Sequence, residues 1–296
     1  PCPDEIRRRA KVIQCLPEGH NVDPHAPHSL NPVFAIRSAV KHRRLILEMV
    51  RRDVIGRYRG SVMGLLWSFF TPVLMLAVYT FVFSVVFKAR WAGGSDSKTE
   101  FAIVLFVGLM VFNLFSECLS RAPNLVLSNP NFVKKVIFPL EILPFVSLGS
   151  AAFHFFVYIL VWLSFYLLVF GVPPVGSLWL PIAVLPLAVL SIGLSWLLSS
   201  LGVFLRDVGQ VIGVVITILM FMSPIFYPVV ALPEEFRGYL HLSPVTYFVE
   251  QARDLLIWGK GMHWTAWLKA LLLSLGVAAL GFAWFQKTRK GFADVI

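Results

Sequence analysis

Glu117, His154 and the Arg206-Asp207 pair are ionisable residues that lie within or against long apolar runs of this sequence. Charge inside a bilayer is costly, so each raises the question of a function. Glu117 precedes Arg121 by one helical turn, a spacing that lets the two side chains pair on one face. His154 reads as a side chain that faces a bundle interior and hydrogen-bonds a neighbour, a structural role favoured over a proton relay. Arg206-Asp207 reads as a local charge pair in a tight turn. Aromatic residues make up 14% of the chain. Most belong at lipid contacts and interfaces. Trp67, Phe70, Tyr79, Phe226 and Tyr227 are the candidates for lining a pathway, because their rings can stack on the flat C–H faces of sugars.

Other chemistries are excluded. The sequence holds no Gly-x-x-x-x-Gly-Lys-Ser/Thr phosphate loop, so ATP binding of the Walker kind is not expected in this chain. It offers no nucleophile–base array, no Asp-x-Asp pair and no His/Cys cluster, so no catalytic residue and no metal ligand is assigned. His25 and His28 read as surface histidines. Cys2, Cys15 and Cys118 are scattered, with neither disulfide nor zinc spacing. The net charge of +10 comes from basic residues beside apolar blocks, where anionic lipid and the positive-inside rule place them. Nucleic acid is therefore not an expected partner.

The elements that position these residues follow from the apolar pattern. Hydrophobic residues are 57% and charged residues 14% of the 296-residue chain, against about 45–50% and 25% in soluble domains. Residues 142–205 contain no Asp, Glu, Lys or Arg. The expected fold is all-α and polytopic, with six transmembrane helices near 62–87, 101–119, 142–170, 178–203, 208–227 and 262–286. Gly171 to Gly176, with Pro173 and Pro174, breaks the longest run. Residues 1–43 are polar and proline-rich, lack the apolar core of a cleavable signal peptide, and read as a flexible cytoplasmic extension. Residues 44–296 form the membrane domain.

Residues 44–59 carry Ile46, Val50, Val54 and Tyr58 at four-residue spacing, with Arg51, Arg52, Arg57 and Arg59 among them. That pattern predicts an amphipathic helix in the membrane interface. Residues 121–141 and 228–261 are too long for simple turns. In the first, Asn131 is a candidate helix cap, leaving Phe132, Val133 and Val136 for a partner surface. The second predicts short outer helices, interfacial or re-entrant. With the amino terminus inside, nineteen Lys and Arg residues lie on inner segments and seven on outer ones, so both termini are expected in the cytoplasm.

Residues 48–72, running from Glu48 through Arg57-Tyr58-Arg59-Gly60-Ser61 and Gly64-Leu65-Leu66-Trp67 to Pro72, resemble the entry motif of type-2 ABC exporter permeases. The match is to the polysaccharide branch that exports O-antigen and teichoic acid. Asn131-Phe132-Val133-Lys134-Lys135-Val136-Ile137-Phe138-Pro139, Leu201 to Val208, Ser223-Pro224-Ile225-Phe226-Tyr227 and Ser243-Pro244-Val245-Thr246-Tyr247 continue the pattern in order. The resemblance implies a non-enzymatic homodimer in a bacterial cytoplasmic membrane, with two ABC ATPase subunits that bind ATP and Mg. It implies ATPase coupling through Asn131, Phe132, Val133, Lys134, Lys135, Val136 and Ile137, and a polyprenyl-linked glycan as cargo. The same architecture also serves permeases for small drugs, lipids or lipo-oligosaccharides, and fold does not set cargo. A membrane-embedded polyprenyl-lipid transferase is the reading from another class. It would need acidic or histidine residues converging at one membrane face.

Overall fold

The computed structural model describes residues 31–82, 98–133, 138–231, 233–240 and 243–295. Hydrocarbon offers no hydrogen bonds to a backbone, so apolar runs of this length satisfy their amides internally, as helices. In chain order the helices are α1 Pro32–Lys41, α2 Arg43–Tyr58, α3 Trp67–Tyr79, α4 Lys98–Arg121, α5 Pro130–Val133 and α6 Leu143–Val169. They continue as α7 Leu180–Phe204, α8 Val208–Met222, α9 Glu234–Leu240, α10 Thr246–Leu256, α11 Trp264–Thr288 and α12 Phe292–Val295. No strand occurs among the described residues. The protein is all-α, a multi-pass membrane fold.

With their flanking turns, five helical stretches are long and apolar enough to cross a membrane: Gly64–Val82, Thr99–Asn124, Leu140–Val169, Val175–Phe204 and Trp264–Gly291. They fall where the apolar pattern places them, although the end of the first expected span, residues 83–87, lies outside the described residues. The bundle forms around α4. Phe101 to Val107 are all buried, as are Met110, Val111, Phe115 and Cys118 further along. A helix that is apolar on every side suits that central position. α7 and α11 pack closely through small residues. A Cβ on Gly281 would collide with the carbonyl oxygen of Gly193, and one on Gly193 would stand 2.6 Å from the Ala278 Cα. Small residues at such crossings allow membrane helices to approach backbone to backbone.

Two expectations are corrected. The fifth span, 208–227, is not one helix of membrane length. α8 ends at Met222 after 15 residues, about 22 Å of rise against a hydrocarbon core of about 30 Å. Beyond it Ser223 to Tyr227 are irregular. Non-helical backbone at membrane depth must be satisfied by protein, and here a fully buried arginine does so. Arg253, on α10, donates to the carbonyl oxygens of Pro224 at 2.5 Å, Ile225 at 2.9 Å and Val104 at 3.1 Å, and pairs with Glu250 at 2.8 Å. Counted as an outer-loop cation from its spacing, Arg253 instead joins the broken end of α8 to α4. Short helices in the 228–261 segment are present as α9 and α10, and α10 buries Phe248, Val249, Ala252 and Leu255 in the core.

The second correction concerns the expected flexible extension. Residues 32–41 form α1, capped by the Asn31 side chain, which accepts from the Val33 amide at 3.0 Å. Proline in the first turn suits that position, where its missing N–H would have no helical partner. Ala35 and Ser38 are buried, so this part of the extension docks on the domain. Residues 1–30 lie outside the described residues.

Arg253→Leu removes the donor shared by three buried carbonyls, each costing about 1–3 kcal/mol when left unpaired. Thermal melting of the detergent-solubilised protein should show a clear loss of stability. Glu250→Gln, at a side chain 43% exposed, should melt close to wild type. Equal melting of Arg253→Leu and wild type would remove the arginine from this role.

Candidate functional site

α2 ends on Arg57-Tyr58, and the chain then reverses through Gly60 to begin α3. Gly60 has φ of +87°, a left-handed conformation that costs other residues about 1–2 kcal/mol. The reversal brings the end of α2 against α4 and α6. There Val50 packs on Gly149 of α6, and Met49 and Val54 are buried. The face of Ile46, Val50, Val54 and Tyr58 was expected to lie in lipid. It is instead occupied by the protein's own helices, while Leu45 and Ile55 stay exposed.

At that junction five ionisable side chains converge with a tyrosine. Arg57 Nη2 lies 2.5 Å from Glu117 Oε1. His154 Nδ1 lies 3.0 Å from Glu117 Oε2, and its Nε2 lies 3.0 Å from the Tyr58 hydroxyl. A proton on Nδ1 donates to the carboxylate, leaving Nε2 to accept from Tyr58. Burial pushes the Tyr58 phenol up, which keeps that hydroxyl a donor. Arg121 does face Glu117, with Nη1 at 3.8 Å, but its closer partner is Asp53 of α2, at 2.5 Å. Ser150 of α6 donates to the other Asp53 oxygen at 2.6 Å. Arg57 Nη1 also lies 3.3 Å from His154 Nδ1, so α2 is held to α4 by two ion pairs and to α6 through Arg57, Tyr58 and Asp53.

Arg57, Tyr58, Glu117, Arg121 and His154 wall a cavity of about 430 Å³ between α2, α3, α4, α6 and α8. Ser68, Thr71, Asn113, Ser116, Ser120 and Tyr158 add hydroxyl and amide groups, and Met110, Phe155 and Ile216 close the apolar side. Asn113 donates to the Tyr158 hydroxyl at 3.2 Å. A second cavity of about 430 Å³, which also touches Arg121, opens beside Arg52, Asp53, Asn124 and Asn129. Arg57 is paired with Glu117 in the same wall, and Arg121 with Asp53 of the second cavity, so the first cavity is rich in hydrogen-bonding groups without a large excess of charge. Its arrangement can hold a polyhydroxylated surface. Among the described residues no group of three His, Cys, Asp or Glu side chains is placed to hold a metal ion.

The other sequence candidates lie elsewhere. Trp67 and Phe70 are about 40% exposed on the surface of α3. Tyr79 is half-buried against the main core, and so is Phe226. Tyr227 donates to the Phe221 carbonyl at 2.8 Å and lines a separate apolar groove of about 580 Å³ with Phe236 and Leu240. None of the five lines the polar cavity. Arg51, Arg52 and Arg59 remain exposed. Asn131 does not cap α5. The cap position is Asn129, whose side chain donates to the Leu125 carbonyl at 2.9 Å, and Asn131 sits exposed within the turn. Phe132 and Val133 pack on the chain's own second core. Lys134, Lys135, Val136 and Ile137 lie outside the described residues. Asp53, Asn113, Ser150 and Tyr158 gave no sequence signal, since a polar residue on a helix becomes informative only when its neighbours are known.

Residues 44–257 match a family model described as ABC-2 type transporter. The chain belongs to that family. It is 25% identical over 255 residues to an O-antigen export system permease protein RfbA of Klebsiella pneumoniae, covering 85% of this chain and 95% of the relative. An RfbA of Myxococcus xanthus is 27% identical over 209 residues, 70% and 77% of the two chains. The polysialic acid transport protein KpsM of Escherichia coli is 22% identical over 249 residues, 82% and 95%. The match to the ABC-2 family begins at α2, so the helix that closes the polar cavity lies inside the matched region and α1 lies before it.

The Asp53–Arg121 pair carries a pH signature. Burial raises the Asp53 carboxyl, but the Arg121 and Ser150 hydrogen bonds and the Arg121 charge outweigh it, and the pKa falls below the ordinary range. A depressed folded-state pKa stabilises the protein above the unfolded value of about 3.9 and loses that contribution as pH falls through the folded one. Wild-type protein should therefore melt above Asp53→Asn at neutral pH, with the gap closing below about pH 4. A gap constant across that range would show that the pair does not set the difference.

Proposed function

We propose that this chain is the transmembrane subunit of an ATP-driven exporter that moves lipid-linked, O-antigen-like polysaccharide across a bacterial cytoplasmic membrane. The observation that carries the reading is the near full-length similarity to O-antigen export permeases, which spans 95% of the Klebsiella relative. The polar cavity adds chemical support. Its paired charges and its hydroxyl and amide walls suit a sugar surface that must be held briefly and then released. The α2 end of the bundle faces the cytoplasm in this reading, as the distribution of basic residues favours. Two copies of the chain pair in the membrane, and two ABC ATPase subunits, with ATP and Mg, supply the energy.

The ATPase seats on residues 131–137, and ATP-driven closure of the ATPase pair moves that segment. α4 and α6 flank the segment in sequence and also wall the cavity, so motion at the segment reaches the cargo path. Trp67, Phe70, Tyr79, Phe226 and Tyr227 remain the aromatic candidates further along the route.

Two expected outcomes test this. Lys134→Glu with Lys135→Glu should abolish co-purification of the ATPase while the permease stays folded; normal co-purification would count against docking at this segment. Thr71→Leu with Ser116→Leu fills the cavity with apolar bulk. Glycan export into vesicles should fall about tenfold or more, equivalent to about 1.4 kcal/mol in the rate-limiting barrier, with the ATPase still bound. Unchanged export would remove the cavity from the pathway.

A further inference from the structure

Glu141 is a buried carboxylate that the cavity does not use. Its side chain is 4% exposed, and it stands where α1, α7 and the end of α11 meet, just after the segment read above as the ATPase seat. Its Oε1 accepts from the Ser38 hydroxyl of α1 at 2.9 Å, and its Oε2 pairs with Arg289 Nη1 at 2.8 Å. Its backbone carbonyl accepts from the Trp196 indole of α7 at 3.0 Å. The same Arg289 donates through Nη2 to the Phe138 carbonyl at 3.1 Å. The Phe138 ring in turn stacks on Phe132 of α5, with centroids 4.1 Å apart and planes 7° from parallel. The two described flanks of the segment are thereby joined to each other through Phe132 and Phe138, and to the bundle through Arg289 and Glu141.

An isolated buried charge is not tolerated, and a buried pair is retained only when its remaining hydrogen bonds are satisfied. Both Glu141 oxygens are satisfied here, one by α1 and one by Arg289. Around them lies the second apolar core, with Ala35, Ile142, Trp196, Phe282, Phe285 and Phe292 buried. Residues from positions 35 to 292 thus converge on the exit of one short segment.

We propose that Glu141 is a positioning residue that holds the flanks of the 130–138 segment at the spacing the ATPase requires, with α1 as a brace through Ser38. The proposal rests on the reading that this segment is the ATPase seat. It gives the α1 helix, which precedes the family match, a role in energy coupling.

The test uses full-length permease in nanodiscs. Glu141→Gln should speed amide exchange of peptides covering 138–142 and 32–41 about tenfold, a local opening of about 1.4 kcal/mol, with α4 peptides unchanged. Titration of the purified ATPase subunit should show its Kd weakened by about the same factor. Ser38→Ala leaves the ion pair in place, so it avoids the risk of unfolding. It should act in the same direction by about threefold. Exchange at 138–142 equal to wild type would overturn the proposal. So would exchange that rises equally in α4, which marks general loosening, or local loosening with wild-type ATPase affinity. Failure of the underlying reading looks different: a wild-type permease that binds no ATPase, or the Lys134→Glu, Lys135→Glu variant binding it normally.

Discussion

Hydrocarbon cannot accept or donate a hydrogen bond, so the ionised and backbone polar groups that this chain buries among its helices draw their partners from within the chain. That constraint shapes the molecule more than apolar packing does, because the apolar side chains have lipid as an equally good neighbour. It explains why α8 can break at Ser223-Pro224, since Arg253 supplies the donors that the interrupted helix leaves unfilled. It explains why Glu117 and His154 sit together, each completing the other's valence, with Arg57 and Tyr58 closing the set. The polar cavity is the space left between helices that these contacts hold apart.

The same constraint sorts what could be read from the sequence. Span positions were legible because 20 or so apolar residues have few alternatives, and each of the five membrane-length stretches overlaps the run that predicts it. The Pro173-Pro174 break was legible for the same reason. The interruption of the fifth run had a local signal in Pro224, but the Arg253 side chain that satisfies the broken end did not, because spacing places that arginine in an outer loop. Glu117 and His154 stood out singly as ionisable residues in apolar runs, yet their meeting depends on helix rotation, which periodicity leaves open. α1 was hidden by its composition. Its stability comes from Ser38 and Ala35 docking on Glu141 and the second core, contacts that join residues about a hundred positions apart.

The charges divide into two sets with different duties. Arg57, Glu117, Arg121 and His154 border the polar cavity, and Asp53 borders the second one beside it. Glu141 and Arg289 are closed off, and they tie the chain's described ends to the flanks of one short segment. Family membership places the chain among ABC-2 transporters; in the function proposed above, the first set serves cargo and the second serves coupling to ATPase motion. No phosphate-binding loop is present in the sequence to generate that motion locally.

The account depends most on this division between a path that holds cargo and a separate source of energy. Purified permease in sealed vesicles, loaded on the outside with lipid-linked glycan and given its ABC ATPase with ATP, should move glycan to the inside. The same vesicles with permease alone should move none, whatever the glycan gradient. Glycan crossing at an equal rate without the ATPase would contradict the account.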